Sequence, residues 1–378
     1  MYNLNYIRRK TKKKLSKVLD KDKLSQQKLS FRTYHNAIIL PGNNYPSYAS
    51  GGVIDCEGHL IKSSQWHENI GGSYKYDLDS MLHEHTNVIY IGYFHYVWGH
   101  VITDNLKKLW FLFTREGKQL IEKGVKIVYI TIENKPLPTY AKEILSLANI
   151  NSESLIWINS PTQFDNIIIP DNSFISTSSG RIYTKEFTNI IDKIKNSVSA
   201  HFKNKIIETF DKIYFTRTLL KDNGIRDFGE KQLENIFYKK GYKIIAPEKH
   251  NVYEQILFLM SCKSFAVTEG SISHNAIFCQ DGTELIILLK ADYVNGYQPA
   301  INCIANVNVT YIDAHWTPYN EMPWAGPFYM NITPYLARWA KLPPSISSYT
   351  HEYIYIYSNY IISIKKRFKK FLYYVTRK

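Results

Sequence analysis

Residues 264–278 read Ser264-Phe-Ala-Val-Thr-Glu-Gly-Ser-Ile-Ser-His-Asn-Ala-Ile-Phe278. A short apolar run, then Gly and small polar residues, then a new apolar series predicts a buried strand that turns into a helix. The same alternation extends outward on both sides. Asp211–Thr216 predicts a strand, and Glu230–Lys240 a helix closed by Gly241. Lys243–Ala246 predicts a strand, Val252–Ser261 a helix, and Glu284–Leu289 another strand. A β-α-β series of this kind is a doubly wound, Rossmann-like domain.

The first half also alternates, less regularly. Short strands with turns between them are expected over 37–65, where Gly, Pro and Asn cluster. Buried strands are expected at 87–92, 126–132, 154–158 and 166–170. Helices are expected at 104–120, 140–148 and 184–203, with a hinge near 203–210. A chain of 378 residues is long for one core, so two domains are expected.

The formal net charge is +14. It is uneven. Residues 1–30 carry +8, residues 361–378 carry +7, and the body between them carries −1. A nucleic-acid-binding core needs a basic face of its own, so the neutral body argues against nucleic acid as a partner. Residues 4–20 predict an amphipathic helix among Lys and Arg. Ile361, Ile364, Phe368, Phe371 and Val375 form a helical stripe beside Lys365, Lys366, Arg367, Lys369 and Lys370. Such a helix suits an anionic membrane surface. Cys56, Cys262, Cys279 and Cys303 make no CxxC pair, which fits reduced cytosolic thiols. The basic start lacks the apolar stretch of a signal peptide, and no run reaches a spanning length.

Three constellations can carry chemistry. In Gly92-Tyr-Phe-His95-Tyr-Val-Trp98-Gly-His100-Val-Ile-Thr-Asp104, a strand opens into a helix, placing His100 and Asp104 on one face. A His–Asp pair can tune a general base. A metal site of His95, His100 and Asp104, or a merely capped turn, is also compatible. Glu269, Gly270, Ser271, Ser273, His274 and Asn275 stand at a strand-to-helix turn, where backbone N–H groups can hold an anion or simply cap the helix. Arg217 follows the strand at 211–216, with Arg226 nine residues on. An Arg at a carboxyl strand end faces the ligand crevice and suits a diphosphate, although a surface ion pair is the plainer reading. Asp77-Leu-Asp79 spells DxD but follows no apolar strand and reads as a solvated turn.

Taken in order, these blocks resemble the catalytic region of glycosyltransferase family 61, especially bacterial capsule-type members. The resemblance rests on Gly92-Tyr-Phe-His-Tyr-Val-Trp-Gly-His100-Val-Ile-Thr-Asp104-Asn-Leu-Lys-Lys-Leu-Trp110 and on Ile213-Tyr-Phe-Thr-Arg217. It continues through Arg226 and Glu230, Gly241, Pro247-Glu248, Glu254-Gln255, Gly270-Ser-Ile-Ser-His-Asn275-Ala-Ile-Phe278 and Gly282-Thr283. Glu269 stands where many members have His, and Phe228-Gly-Glu230 replaces a usual Asn-Glu.

The resemblance implies an α/β GT-B-like fold, with two facing Rossmann-like domains and a cleft between them. It implies an inverting, metal-independent transfer from a nucleotide sugar, a UDP-sugar first, with no cofactor. The expected layout is a basic segment 1–30, an acceptor-side domain 31–205, a nucleotide-sugar domain 206–320, a return helical segment 321–360 and a membrane helix 361–378. Asp104 or His100 would be the base, with Asp104 preferred and His100 as its partner. Arg217, Arg226 and the 269–275 turn would bind the donor diphosphate, and Glu254 and Gln255 the nucleoside. His95 and Trp98 would lie on the acceptor side. The acceptor would be a glycan, lipid-linked, at the cytoplasmic face of the plasma membrane during surface polysaccharide synthesis. The rival readings are a non-catalytic membrane- or nucleic-acid-binding protein and a metal-dependent hydrolase built on His95, His100 and Asp104.

Overall fold

The computed structural model describes residues 1–19, 23–67, 70–77, 79–177, 180–220, 227–318, 322–343 and 345–375. The chain divides into two compact units, Met1–Asp20 with Glu208–Lys378, and Lys21–Ile207. It is an α/β protein with one parallel six-stranded sheet and one mixed six-stranded sheet.

The parallel sheet belongs to the first unit. Its strand order is Lys243–Ile245, Lys212–Phe215, Ser264–Thr268, Glu284–Leu289, Asn308–Asp313 and Tyr2–Tyr6. Every neighbouring pair runs parallel. The inner strands are near-continuous apolar runs, as a sheet covered on both faces requires. The chain leaves Lys212–Phe215 for the strand on one side, then returns to Ser264–Thr268 on the other. That reversal is a topological switch point, and the carboxyl ends of these two strands flank the usual ligand crevice of such sheets.

The N-terminus departs from the helix expected over 4–20. Tyr2–Tyr6 is an edge strand, and the helix runs Arg9–Leu19. The strand is recruited by Asn308–Asp313, a partner some 300 residues away. Arg8, between strand and helix, is buried. Its guanidinium donates to both Glu352 oxygens at 2.6 and 2.8 Å and to the His315 carbonyl at 2.7 Å. Its backbone N–H donates to Asp313 at 2.6 Å. Glu352 lies on the first turns of the C-terminal helix, so the N-terminal segment is tied to that helix inside this unit.

That helix runs Ile346–Val375 without a break. The expected change of element near 360 is absent because no Gly or Pro interrupts the stretch. Within the expected return segment 321–360, a two-residue strand, Phe328–Tyr329, and a short helix, Pro334–Ala340, precede the first half of this long helix. The stripe residues Phe371 and Val375, with Lys369 and Lys370, lie outside the described side chains. Among the described residues no helix is long and apolar enough to cross a membrane.

The second unit is built on the mixed sheet, ordered Ser50–Ile54, Phe31–Asn43, Thr162–Pro170, Leu82–Phe94, Lys126–Thr131 and Leu155–Trp157. Phe31–Asn43 pairs antiparallel on both sides, and the other pairings are parallel. The short strands expected over 37–65 are therefore one long strand and one short one.

The helix expected over 104–120 is broken into 3-10 turns at Asp104–Leu106 and Leu109–Phe113, then a helix at Arg115–Glu122. Every residue from Thr103 to Leu112 is buried. An amphipathic helix cannot bury all its sides. Lys107 and Lys108 resolve their buried charge by donating to the carbonyls of Trp66 and Pro170.

Candidate active site

The first candidate set lies in the second unit, where Leu82–Phe94 ends and a short helix, Trp98–Val101, begins. Asn105 clamps the connection. Its Oδ1 accepts from His95 N at 2.8 Å and its Nδ2 donates to His95 O at 2.9 Å. His100 Nδ1 and Asp104 Oδ2 are 2.6 Å apart. The ring N–H donates to the carboxylate, which leaves Nε2 as the basic nitrogen. Side-chain exposure separates the partners, at 24% for His100 and 3% for Asp104. Burial works to raise the Asp104 pKa, but the His100 hydrogen bond and the charges of His100, His67 and Lys107 prevail and hold it well below the usual carboxylate range.

His95 has a defined tautomer. Val97 N–H donates to its Nδ1 at 2.8 Å, so Nε2 carries the proton and donates to the Tyr48 hydroxyl at 3.0 Å. Burial first, and neighbouring His100 second, lower its pKa to about 3. Both ring nitrogens are occupied, so His95 cannot act as a metal ligand in this arrangement. Among the described residues no three His, Cys, Asp or Glu side chains are placed to hold a metal ion.

Trp66 closes the cluster. Its ring lies 4.9 Å from that of His100, 5.3 Å from His95 and 4.2 Å from His67. The His95 and His100 rings are 4.6 Å apart. Burial lowers His67 to a pKa of about 4. Trp98 packs edge-on against Tyr140 at 5.8 Å.

The second set lies in the first unit, at the carboxyl ends of the switch-point strands and their neighbour. Arg217 follows Lys212–Phe215, Gly270 follows Ser264–Thr268, and Lys290 follows Glu284–Leu289. The helix Glu230–Lys239 pins the first of these ends. Glu230 accepts from Arg217 N at 3.3 Å and from the Tyr214 hydroxyl at 3.0 Å. Glu234 accepts from the hydroxyls of Thr216 and Thr218. Burial raises Glu230 to a pKa of about 7, against the pull of these bonds.

Asp227 lies between two cations, 3.6 Å from Arg217 Nε and 3.5 Å from Lys290 Nζ. Lys290 is buried, and its ammonium stands 4.1 Å over the Phe328 ring. A Cβ added at Gly270 would sit 3.7 Å from Lys290 Nζ and 3.8 Å from Arg217 Nη1. The missing side chain thus leaves space directly against both cations. Asp227 and Glu269 both face these two cations, so the space at Gly270 offers an anionic group the Arg217 fork and the Lys290 ammonium rather than a net positive charge.

The remaining expected donor residues divide. Glu269 joins this set. It is buried beside Lys290 and accepts from Asn295 N at 3.0 Å, and burial raises its pKa. The turn after Gly270 forms a six-residue 3-10 helix, Ser273–Phe278, where an α-helix was expected. Ser273 Oγ closes the turn on the Gly270 carbonyl at 2.7 Å and on Gln298 at 2.6 Å. The Ser271 carbonyl accepts from His274 N, and Asn275 Nδ2 donates to Ile272 O. Glu254 and Gln255 serve the turn before their own helix. Gln255 donates to Pro247 O and His250 O, and Glu254 meets His250 at 3.3 Å. Arg226 lies outside the described residues.

Sequence reasoning missed Tyr48, Trp66, His67 and Lys107 in the second unit, and Asp227 and Lys290 in the first. Lys290 had a signal, since it follows an apolar strand as Arg217 does. Trp66 and His67 had none, because only folding brings them to His100.

No curated protein matches the sequence. The family model described as Glycosyltransferase 61 matches residues 98–286, half of the chain, spanning His100, Asp104, Arg217 and Gly270. With the histidine–aspartate pair and the cation pair already placed at strand ends, this match shows that the chain belongs to the glycosyltransferase 61 family and is a sugar-transferring enzyme.

Proposed function

We propose that the enzyme transfers a sugar with inversion from a nucleotide sugar, a UDP-sugar first, to a hydroxyl of a lipid-linked glycan in bacterial surface polysaccharide synthesis. The single observation that carries the mechanism is the 2.6 Å His100–Asp104 pair, with His100 the exposed member. His100 Nε2 takes the acceptor proton as the acceptor oxygen attacks the anomeric carbon. Asp104 fixes the ring and stabilises the imidazolium. This reverses the preference for Asp104 given with the family resemblance, because a buried carboxylate already bonded to His100 is poorly placed to reach an acceptor.

As the new C–O bond forms, the bond to the nucleoside diphosphate breaks and its electron pair leaves on a phosphate oxygen. Arg217 and Lys290 supply the charge that stabilises this leaving group, against the bare backbone of Gly270. These two cations support metal independence. The basic helix at the C-terminus supports attachment to an anionic leaflet, where a lipid-linked acceptor is found.

The test is a thermal-shift screen against nucleoside diphosphates and nucleotide sugars, followed by nucleotide-release assays on the hits. Stabilisation by one nucleoside diphosphate that is weakened by Arg217→Ala is expected. Absence of stabilisation by every nucleotide, together with unchanged turnover in His100→Ala, would overturn the proposal.

A further inference from the structure

The second unit contains a hollow that the reaction outlined above does not use. Its volume is about 560 Å³, and Gly42, Asn43, Asn44, Tyr74, Glu133 and Asn134 line it with Pro41. That is within the size range of small-molecule sites. It is built by a close approach. A Cβ on Gly42 would come 2.0 Å from the Thr131 carbonyl oxygen and 2.6 Å from Tyr93 Oη, so only glycine lets the two strand ends meet. Glu133 and Asn134 both take left-handed backbone, at φ 56° and 50°. Two successive non-glycine residues in that region store strain, and the local packing must hold it.

The lining is chemically uniform. Glu133 accepts from Asn44 Nδ2 at 2.9 Å and from Lys135 Nζ. Asn134 Nδ2 donates to Asn159 O at 2.9 Å, and the Tyr74 hydroxyl donates to Pro41 O at 2.8 Å. The Asn43 Oδ1 is taken by Tyr45 N. These bonds fix the groups and leave amide N–H donors on Asn43 and Asn44 and carbonyl and carboxylate lone pairs on Asn134 and Glu133. A set of planar amides and one carboxylate, beside an aromatic ring, matches neighbouring hydroxyls on a sugar. The single carboxylate, already paired with Lys135, does not suit a phosphate or a free metal ion.

The hollow adjoins the His100 cluster. Phe94 and Thr131 are direct partners in adjacent parallel strands, and Glu133, two residues past Thr131, acts electrostatically on His95. Tyr96 and Glu133 influence each other's ionisation, and the Tyr96 ring lies 5.0 Å from that of His95, which in turn lies 4.6 Å from His100.

We propose that this hollow is an acceptor subsite that holds a neutral sugar ring next to the one whose hydroxyl attacks. The assignment rests on the sugar-transfer reading. The subsite makes the enzyme select the penultimate sugar of the glycan, and its residues contribute to acceptor binding without taking part in proton transfer.

The test is saturation-transfer NMR on the full-length protein with the methyl glycosides of glucose, galactose, mannose and N-acetylglucosamine. Wild type is expected to give signals with at least one probe. Asn44→Ala and Glu133→Gln, each folded by circular dichroism, are expected to weaken them about fivefold, the cost of one lost hydrogen bond. His100→Ala is expected to keep them. No signal from any probe, or signals in both hollow variants equal to those of wild type, overturns the subsite. Loss only in His100→Ala also overturns it. Sugar binding that depends on the hollow, with no transfer from any nucleotide sugar, would instead leave the subsite standing and defeat the transfer reading.

Discussion

His100 and Asp104 share a 2.6 Å hydrogen bond, and only His100 reaches solvent. The two partners therefore make separable predictions. His100→Ala removes the proposed base and should lower kcat by about 10³, within the usual range for general-base catalysis. Asp104→Asn keeps the shape but not the charge, and should cost less, on the order of 10². Single-turnover rates with saturating donor would check this. The reverse order, with Asp104→Asn the more damaging, returns the base role to Asp104.

Gly270 makes the second prediction. Its φ is 131°, so an alanine there is strained by about 1–3 kcal/mol before any ligand is considered. The new methyl would also stand against Arg217 and Lys290. Gly270→Ala should raise the donor KM at least about tenfold, a cost of ~1.4 kcal/mol, while His100-dependent chemistry persists at saturation. Lys290→Met, which keeps length and apolar body, should instead lower kcat by about 10². If both variants match wild type with every donor, the diphosphate is not held at this strand edge. Turnover should survive a chelator. Loss of activity that zinc restores would revive the hydrolase reading.

How much of this was legible in the sequence depends on the range of the interaction. The alternation from Lys212 to Leu289 is local, and the strands and helices fall where the periodicity places them. Arg217 and Gly270 were visible for the same reason. The strand Tyr2–Tyr6 was not, because its partner is Asn308–Asp313. Nor was the irregular path of 104–113. Its Lys107 and Lys108 are buried, and only the carbonyls of Trp66 and Pro170 explain why they are inside. The charge split marked out the basic N-terminal segment, but not that Arg8 within it is buried against Glu352 of the C-terminal helix.

Acidification makes the third prediction. His95 and His67 have folded pKa values lowered to about 3 and about 4, below the ordinary value near 6.5. A lowered histidine binds fewer protons folded than unfolded. Its stabilisation is complete above pH ~6.5 and is lost as pH falls toward the folded value. Glu230, raised to about 7, acts in the opposite sense, since its contribution is lost as pH rises from ~4.5 to 7. Two histidines outweigh one glutamate, so net stability should fall from pH 6.5 to 4.5. Each group contributes at most about 1.4 kcal/mol per pH unit. Urea midpoints across this range would show the slope. His95→Gln should flatten it and Glu230→Gln should steepen it. A slope that neither variant changes would detach these residues from the acid response.

The C-terminal helix makes the fourth prediction. Ser348, Glu352 and Tyr355 face the body and are buried. Tyr349, Tyr353, Ile356, Tyr360 and Ile364 recur at helical spacing on a face beside the buried one, and all are exposed. Lys365, Lys366 and Arg367 follow at the end of this stripe. Exposed aromatic and aliphatic side chains beside cations are the composition of an interfacial helix, whose binding needs both the apolar area and the charge. The stripe begins well before the basic segment, so neither part should suffice. The full-length protein should sediment with vesicles containing phosphatidylglycerol and not with phosphatidylcholine alone, and salt should release it. Truncation after Asn359 keeps the packed residues and removes the cations, and should abolish sedimentation. Replacing Ile356, Tyr360 and Ile364 together by Ser keeps every cation and should weaken binding nearly as much. If the truncated protein sediments as fully as the intact one, the anchor lies elsewhere. The exposed face of the N-terminal helix, with Arg9, Lys12, Lys13 and Lys17, is then the next surface to neutralise.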